Sequence, residues 1–128
     1  MAMAIYLPTV AFDFTFDDSR IVSGNSRIRR LDVPSQYLAT SWWDRSGNNN
    51  EYRPAVMASF TLNYALGGNA PGPFHAVNVL LHALNVALIW LLWLRLFRNR
   101  LLAGVATLLF AIHPVHVESV AGVVGRAE

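Results

Sequence analysis

The sequence predicts an all-α membrane protein: a transmembrane helical hairpin plus an outer loop with short helices. Three observations predict it. Charged residues make up 14% of the 128 residues, against ~25% in soluble domains. Pro54 to Leu94 is a run of 41 residues without Asp, Glu, Lys or Arg, and Leu101 to Val117 is a second of 17. A soluble helix of such length needs charge where it meets water. Only Arg95, Arg98 and Arg100 carry charge between the two runs.

The elements follow in order. Residues 1–12 (MAMAIYLPTVAF) are apolar but too short to span, and lack the basic start and cleavage site of a signal peptide. They read as the end of a truncated first transmembrane helix, or as an interfacial anchor. Residues 13–73 form the extracytoplasmic loop, with turn chemistry at Ser23-Gly24-Asn25-Ser26 and Ser46-Gly47-Asn48-Asn49-Asn50. Pro34 can open a short helix to about Ala39. Trp42 and Trp43 suit an interface belt or local core. Ala55 to Leu66 is a charge-free helix at the membrane surface or under the loop, and the Gly67 to Pro73 cluster breaks it.

Residues 74–97 are a transmembrane helix of 24 residues, ~36 Å at ~1.5 Å per residue. Residues 98–100 are a turn, cytoplasmic because Arg95, Arg98 and Arg100 crowd it. The six Arg of the long loop are spread over a length at which that rule weakens. Residues 101–128 are a second transmembrane helix and the start of the next outer segment. Pro114 disfavours helical geometry at His113, so this helix breaks at His113-Pro114. So few helices cannot enclose their polar residues, and the expectation is a fragment of a larger multi-pass protein, open at both ends.

Composition also excludes. The net charge of +2 is too balanced for a nucleic-acid partner. The chain has no Cys and no Lys, which removes disulfides, thiol catalysis, Schiff-base chemistry and a P-loop lysine.

Several groups could carry chemistry. His75, Asn78, His82 and Asn85 are spaced 3, 4 and 3 apart, on one face of the first spanning helix. Such groups bond helices together or line a wet cavity. Asp17-Asp18 is an acidic pair in which repulsion can raise one pKa and provide a base; a solvated turn or helix cap is the plainer reading. His113-Pro114-Val115-His116-Val117-Glu118 has three readings. Two His and a carboxylate can bind a divalent metal with help from His82 or Asp18. A new helix starting at Pro114 can present N–H groups and imidazoles to a phosphate. The residues can also simply pack. Arg53 can pair with Glu51, an Asp or a lipid phosphate, or lie at the surface.

In order, Phe16-Asp17-Asp18, Tyr52-Arg53-Pro54, Asn63-Tyr64, His75-x-x-Asn78-x-x-Leu81-His82, His113-Pro114-x-His116-x-Glu118 and Gly125-Arg126 resemble the N-terminal membrane portion of the transmembrane and tetratricopeptide-repeat proteins. These are similar to protein O-mannosyltransferases. The resemblance implies a fragment of a GT-C-like multi-helix bundle in a plasma, inner or endoplasmic reticulum membrane, with the acidic loop outside or lumenal. It implies transfer of a sugar from a polyprenyl- or dolichyl-phosphate donor to Ser or Thr hydroxyls of an acceptor protein. Asp17 or Asp18 would be the base. Arg53, His113 and His116 would hold the phosphate, with Glu118, His75, Asn78 and His82 as further substrate contacts. No cofactor is firmly implied beyond the donor, and a divalent metal stays open. The chain has Val117 where the family has Thr, so a hydroxyl contact is missing. The alternative is a non-catalytic scaffold whose repeat region binds partner proteins. A transporter fits the broken helix but not the large outer loop.

Overall fold

The computed structural model describes residues 2–30 and 53–127. The expected helix at Pro34 to Ala39, the Trp42-Trp43 pair, the Ser46 to Asn50 turn and Glu51 lie outside the described residues. Among those described, every regular element is helical, so the protein is all-α.

Helix α1 (Ala2–Tyr6) runs into a 3-10 turn (Leu7–Ala11) opened by Pro8. A wide helical turn (Ser19–Ser23) and a short 3-10 turn (Ser26–Arg29) follow; Asn25 caps the latter by accepting from the Arg27 backbone N–H at 3.0 Å. Helix α2 (Pro54–Gly67) starts with Pro at its first position and ends at Gly68, whose φ of +64° is left-handed.

Helix α3 (Pro71–Phe97) is the long element. It begins three residues before the expected Phe74. Pro71 and Pro73 fall in the first turn, where backbone N–H groups have no helical partner, so they open the helix instead of breaking it. Its 27 residues give ~40 Å, enough to cross a ~30 Å hydrocarbon core. Only 17% of its most apolar 18-residue window is buried within the protein. A soluble core helix would be mostly covered; here Leu80, Leu84, Leu88, Leu91 and Leu92 are exposed, and a bilayer is the solvent that accepts them. The chain is a membrane protein.

Arg98 adopts a left-handed conformation (φ 51°), and Asn99 caps helix α4 (Arg100–Ile112) by accepting from Leu101 N at 2.9 Å and Leu102 N at 3.2 Å. The chain thus reverses within two residues, and α4 returns along α3. A Cβ on Gly104 would come within 3.4 Å of the Trp90 ring, so the two helices approach closely there. Helix α4 ends at Ile112. His113 is extended (ψ 130°), and helix α5 (His116–Ala121) starts after a turn. A last 3-10 turn (Val124–Ala127) follows.

The core sits at the N-terminal end of α3. Ile21, Val22, Ile28, Met57, Phe60, Phe74 and Val123 form one cluster, and Tyr6, Val79 and Val120 a second. Between and below them the buried face of α3 is polar, with His75, Asn78 and His82. Its apolar face is the outer one, an arrangement suited to lipid around a polar interior.

Candidate functional site

The acidic turn comes first along the chain. Thr15 and Asp18 bond reciprocally: Asp18 N donates to the Thr15 carbonyl at 2.8 Å, while Thr15 N and Oγ1 donate to Asp18 Oδ2 at 3.1 and 3.3 Å. These three bonds close a tight turn around Phe16. The other carboxylate oxygen, Oδ1, accepts from Val124 N at 2.9 Å. Asp18 is buried and fully engaged. Asp17 beside it is half-buried and makes no side-chain hydrogen bond among the described residues. Phe16, between Thr15 and Asp17, has φ +43° and is 92% exposed, a strained backbone for a bulky residue.

The polar stripe of α3 comes next. His75 is buried under Phe12, with ring centroids 6.4 Å apart, and neither ring nitrogen has a hydrogen-bond partner among the described residues. Asn78 donates from Nδ2 to the carbonyls of Gly122 at 2.7 Å and Val123 at 3.3 Å. His82 Nε2 lies 3.3 Å from the Ala111 carbonyl, which requires the proton on that nitrogen if the ring is neutral. Tyr6 meets the His82 ring edge-on at 5.0 Å. Asn78, His82 and Asn85 line a cavity of about 360 Å³ together with Leu81, Phe110, His116, Ser119 and Arg126. His75 is one turn above and does not line it.

The break between α4 and α5 places the remaining candidates. Its free N–H groups are used internally: Val115 N donates to His113 Nδ1 at 3.2 Å, His116 N to the His113 carbonyl at 3.1 Å and Val117 N to the Pro114 carbonyl at 3.0 Å. The expected anion-binding helix start is therefore closed by its own chain. His116 packs on Phe110 (4.5 Å) and beside His82 (5.2 Å), on the cavity wall. His113 and Glu118 are exposed. No group of three or more His, Asp or Glu among the described residues could hold a metal ion, and Asp18, a possible fourth ligand, is committed to Thr15 and Val124.

Arg53 donates from Nη1 to the carbonyl of Ala127 in the last turn.

The residue at the centre of the site is one whose role sequence reasoning missed. Arg126 donates from Nε to Asn78 Oδ1 at 2.8 Å and from Nη1 to Ser59 Oγ at 3.2 Å. Its Nη2 donates to Asn63 Oδ1 at 3.0 Å and to the Phe74 carbonyl at 2.9 Å. The guanidinium lies 4.8 Å over the Phe60 ring. Burial lowers its pKa to about 10, which leaves it cationic at neutral pH. The available signal was that Arg126, in the Gly125-Arg126 pair, is the sole Arg after Arg100.

Comparison with known proteins bears on this arrangement. The chain is 38% identical over 132 aligned residues to human protein O-mannosyl-transferase TMTC2, covering 100% of this chain and 16% of that protein. It is 42% identical over 123 residues to mouse protein O-mannosyl-transferase TMTC1, covering 91% of this chain and 13% of that protein. It is 36% identical over 132 residues to Drosophila melanogaster protein O-mannosyl-transferase Tmtc1, covering 100% and 15%. The chain belongs to this family. It spans about one sixth of the length of the TMTC2 proteins it matches. No family model matches the chain, and no solved structure matches it. In this TMTC-family chain, the acidic turn, the polar stripe and the Gly125-Arg126 pair all meet at the N-terminal end of α3.

Proposed function

We propose that this chain is part of a multi-pass membrane glycosyltransferase that moves mannose from a polyprenyl- or dolichyl-phosphate donor to Ser or Thr hydroxyls of an acceptor protein. The names of the related proteins support mannose as the sugar and protein as the acceptor. The acidic turn lies on the outer or lumenal side, because the Arg-rich turn at the other end of α3 favours the cytoplasm.

The observation that carries the reading is the division of labour between two adjacent carboxylates. Asp18 spends both oxygens on Thr15 and Val124. Asp17, half-buried beside it and without a side-chain hydrogen bond among the described residues, keeps its carboxylate available. Asp17 takes the proton of the acceptor hydroxyl. The hydroxyl oxygen then bonds to the anomeric carbon, the bond from that carbon to the phosphate oxygen breaks, and the lipid phosphate leaves with the electron pair. Asp18 is a positioning residue. His116 and His82, side by side on the cavity wall, supply polar contacts to the donor.

The test is mannosyl transfer by the full-length polypeptide in membranes, supplied with polyprenyl-phosphate mannose and a Ser/Thr-rich acceptor. Asp17→Asn removes transfer at unchanged expression and folding. If the parent transfers no mannose while cellular function survives loss of both carboxylates, the chain is a scaffold and the proposal fails.

A further inference from the structure

Three phenylalanines alternate along the segment that leads to the acidic pair. Phe12 covers His75, and Phe14 meets the core residue Phe74 edge-on at 5.7 Å. Phe16 does neither. Its ring belongs to no buried cluster of the described residues and is 92% exposed. One exposed apolar side chain is ordinary, but the backbone beneath this one is not. Asp18 N donates to the Thr15 carbonyl, so Thr15 to Asp18 is a four-residue turn with Phe16 at its first corner. The φ there is +43°, while Asp17 at the second corner is not left-handed. A turn with positive φ at its first corner alone is one that glycine serves, because glycine has no Cβ to strain. A bulky ring is held there instead, at a cost, and adds nothing to the packing of the described core. Strain of this kind points to a task outside the fold.

The surroundings select the occupant. The neighbours of Phe16 in the chain are the polar Thr15 and Asp17, and Asp13 and Thr15 are exposed. Sinking this turn into hydrocarbon would carry carboxylates with the ring, a cost that one phenyl group does not offset. A polypeptide instead offers apolar side chains to the ring and hydroxyl and amide groups to the polar neighbours. Consecutive Cα atoms are ~3.8 Å apart in any chain. An acceptor with its Ser or Thr hydroxyl within ~2.6–3.2 Å of the Asp17 carboxylate therefore brings a flanking residue within reach of the Phe16 ring, one corner of the turn away. On the glycosyltransferase reading above, Asp17 must stay open to the acceptor, and the ring beside it stays open too.

We infer that Phe16 is a specificity-determining residue for the acceptor: its ring receives an apolar side chain next to the accepting Ser or Thr, and so selects hydroxyls flanked by aliphatic or aromatic residues. This rests on the glycosyltransferase reading with Asp17 as the base. Asp17 takes the proton from any hydroxyl placed against it, and Phe16 decides which chain is placed there.

The experiment uses the full-length polypeptide in lipid nanodiscs and two acceptor peptides that differ only in the residues flanking the accepting Thr, Leu in one and Asn in the other. Equilibrium binding of each labelled peptide is measured without donor, and mannosyl transfer is measured with it. The parent is expected to favour the Leu-flanked peptide roughly 10-fold in Kd and in acceptor KM. Phe16→Ala brings the two peptides to within about 2-fold of each other, with kcat at saturating acceptor and donor KM unchanged. Phe16→Tyr keeps the preference. Phe16→Gly loses it at an unfolding temperature no lower than the parent's, because glycine accepts that φ. A parent without preference between the peptides, or a preference that survives Phe16→Ala, overturns the proposal. If the surviving preference comes with a lower unfolding temperature, the ring packs within the full-length protein; if it comes with weaker membrane retention, the ring meets lipid. The two readings fail separately. A peptide preference in binding that depends on Phe16, without any mannosyl transfer, sinks the enzyme and leaves this contact standing. Transfer indifferent to the flanking residues sinks this contact and leaves the enzyme.

Discussion

Nε of Arg126 lies 2.8 Å from Oδ1 of Asn78, a contact across 48 residues of sequence. The opposite end of the same amide, Nδ2, donates to the carbonyls of Gly122 and Val123. One side chain on α3 therefore holds the returning segment by its backbone and by its charge. Asn78→Leu leaves the Arg126 Nε–H and two carbonyls without partners, and a loss of about 2–4 kcal/mol is expected. Denaturant unfolding of the purified protein in detergent measures it. Stability equal to the parent's would mean that the network holds nothing together.

Asp17 and Asp18 are expected to separate cleanly in two assays. Asp18→Ala strips three hydrogen bonds from a buried turn and costs about 1–3 kcal/mol. Asp17→Asn changes stability by less than ~0.5 kcal/mol but lowers kcat roughly 10²- to 10⁴-fold with donor KM unchanged. Thermal unfolding and steady-state transfer, run on the same preparations, decide. The reverse pattern would make Asp18 the base.

Gly125 has no room for a side chain. A Cβ there would sit 2.3 Å from the Glu118 carbonyl oxygen and 2.7 Å from the Ser119 Cα. Both are backbone atoms that cannot rotate away. Gly125→Ala must push the Val124–Ala127 turn off α5 and carry Arg126 with it. A loss of about 2–3 kcal/mol is expected, read by thermal unfolding in detergent. Stability equal to the parent's would show that the turn has slack.

Leu88 is 55% exposed near the middle of α3. If that face meets hydrocarbon, Leu88→Arg reduces insertion by about 2.5–3.5 kcal/mol. A glycosylation-site reporter on each side of the helix reads the inserted fraction. Unchanged insertion would mean that protein or water covers Leu88.

The sequence made some of this legible and hid the rest for physical reasons. The break at His113-Pro114 could be read because proline restricts the residue before it, a purely local effect, and His113 is extended. The stripe of His75, Asn78 and His82 could be read because helical periodicity alone puts them on one face. Periodicity could not separate His75, sealed under Phe12, from the residues lining the cavity. The start of α3 was misplaced by three residues because Pro71 and Pro73 act as openers in a first turn and as breakers elsewhere. Arg126 was out of reach. Its partners Ser59, Asn63, Phe74 and Asn78 lie 48 to 67 residues away, and no local pattern encodes a contact of that span.

The bond from Val124 N to Asp18 crosses 106 residues, and it sets an order of events. At a synthesis rate of ~5–20 residues per second, Asp18 is added to the chain about 5–20 seconds before Val124. Until then its Oδ1 has no Val124 to accept from. Helices α3 and α4 must be made before the acidic turn can be tied down. Through the synthesis of the hairpin the acidic turn has only its local bonds from Thr15 to Asp18 Oδ2, and its tie to the rest of the fold is completed last, when the last turn docks.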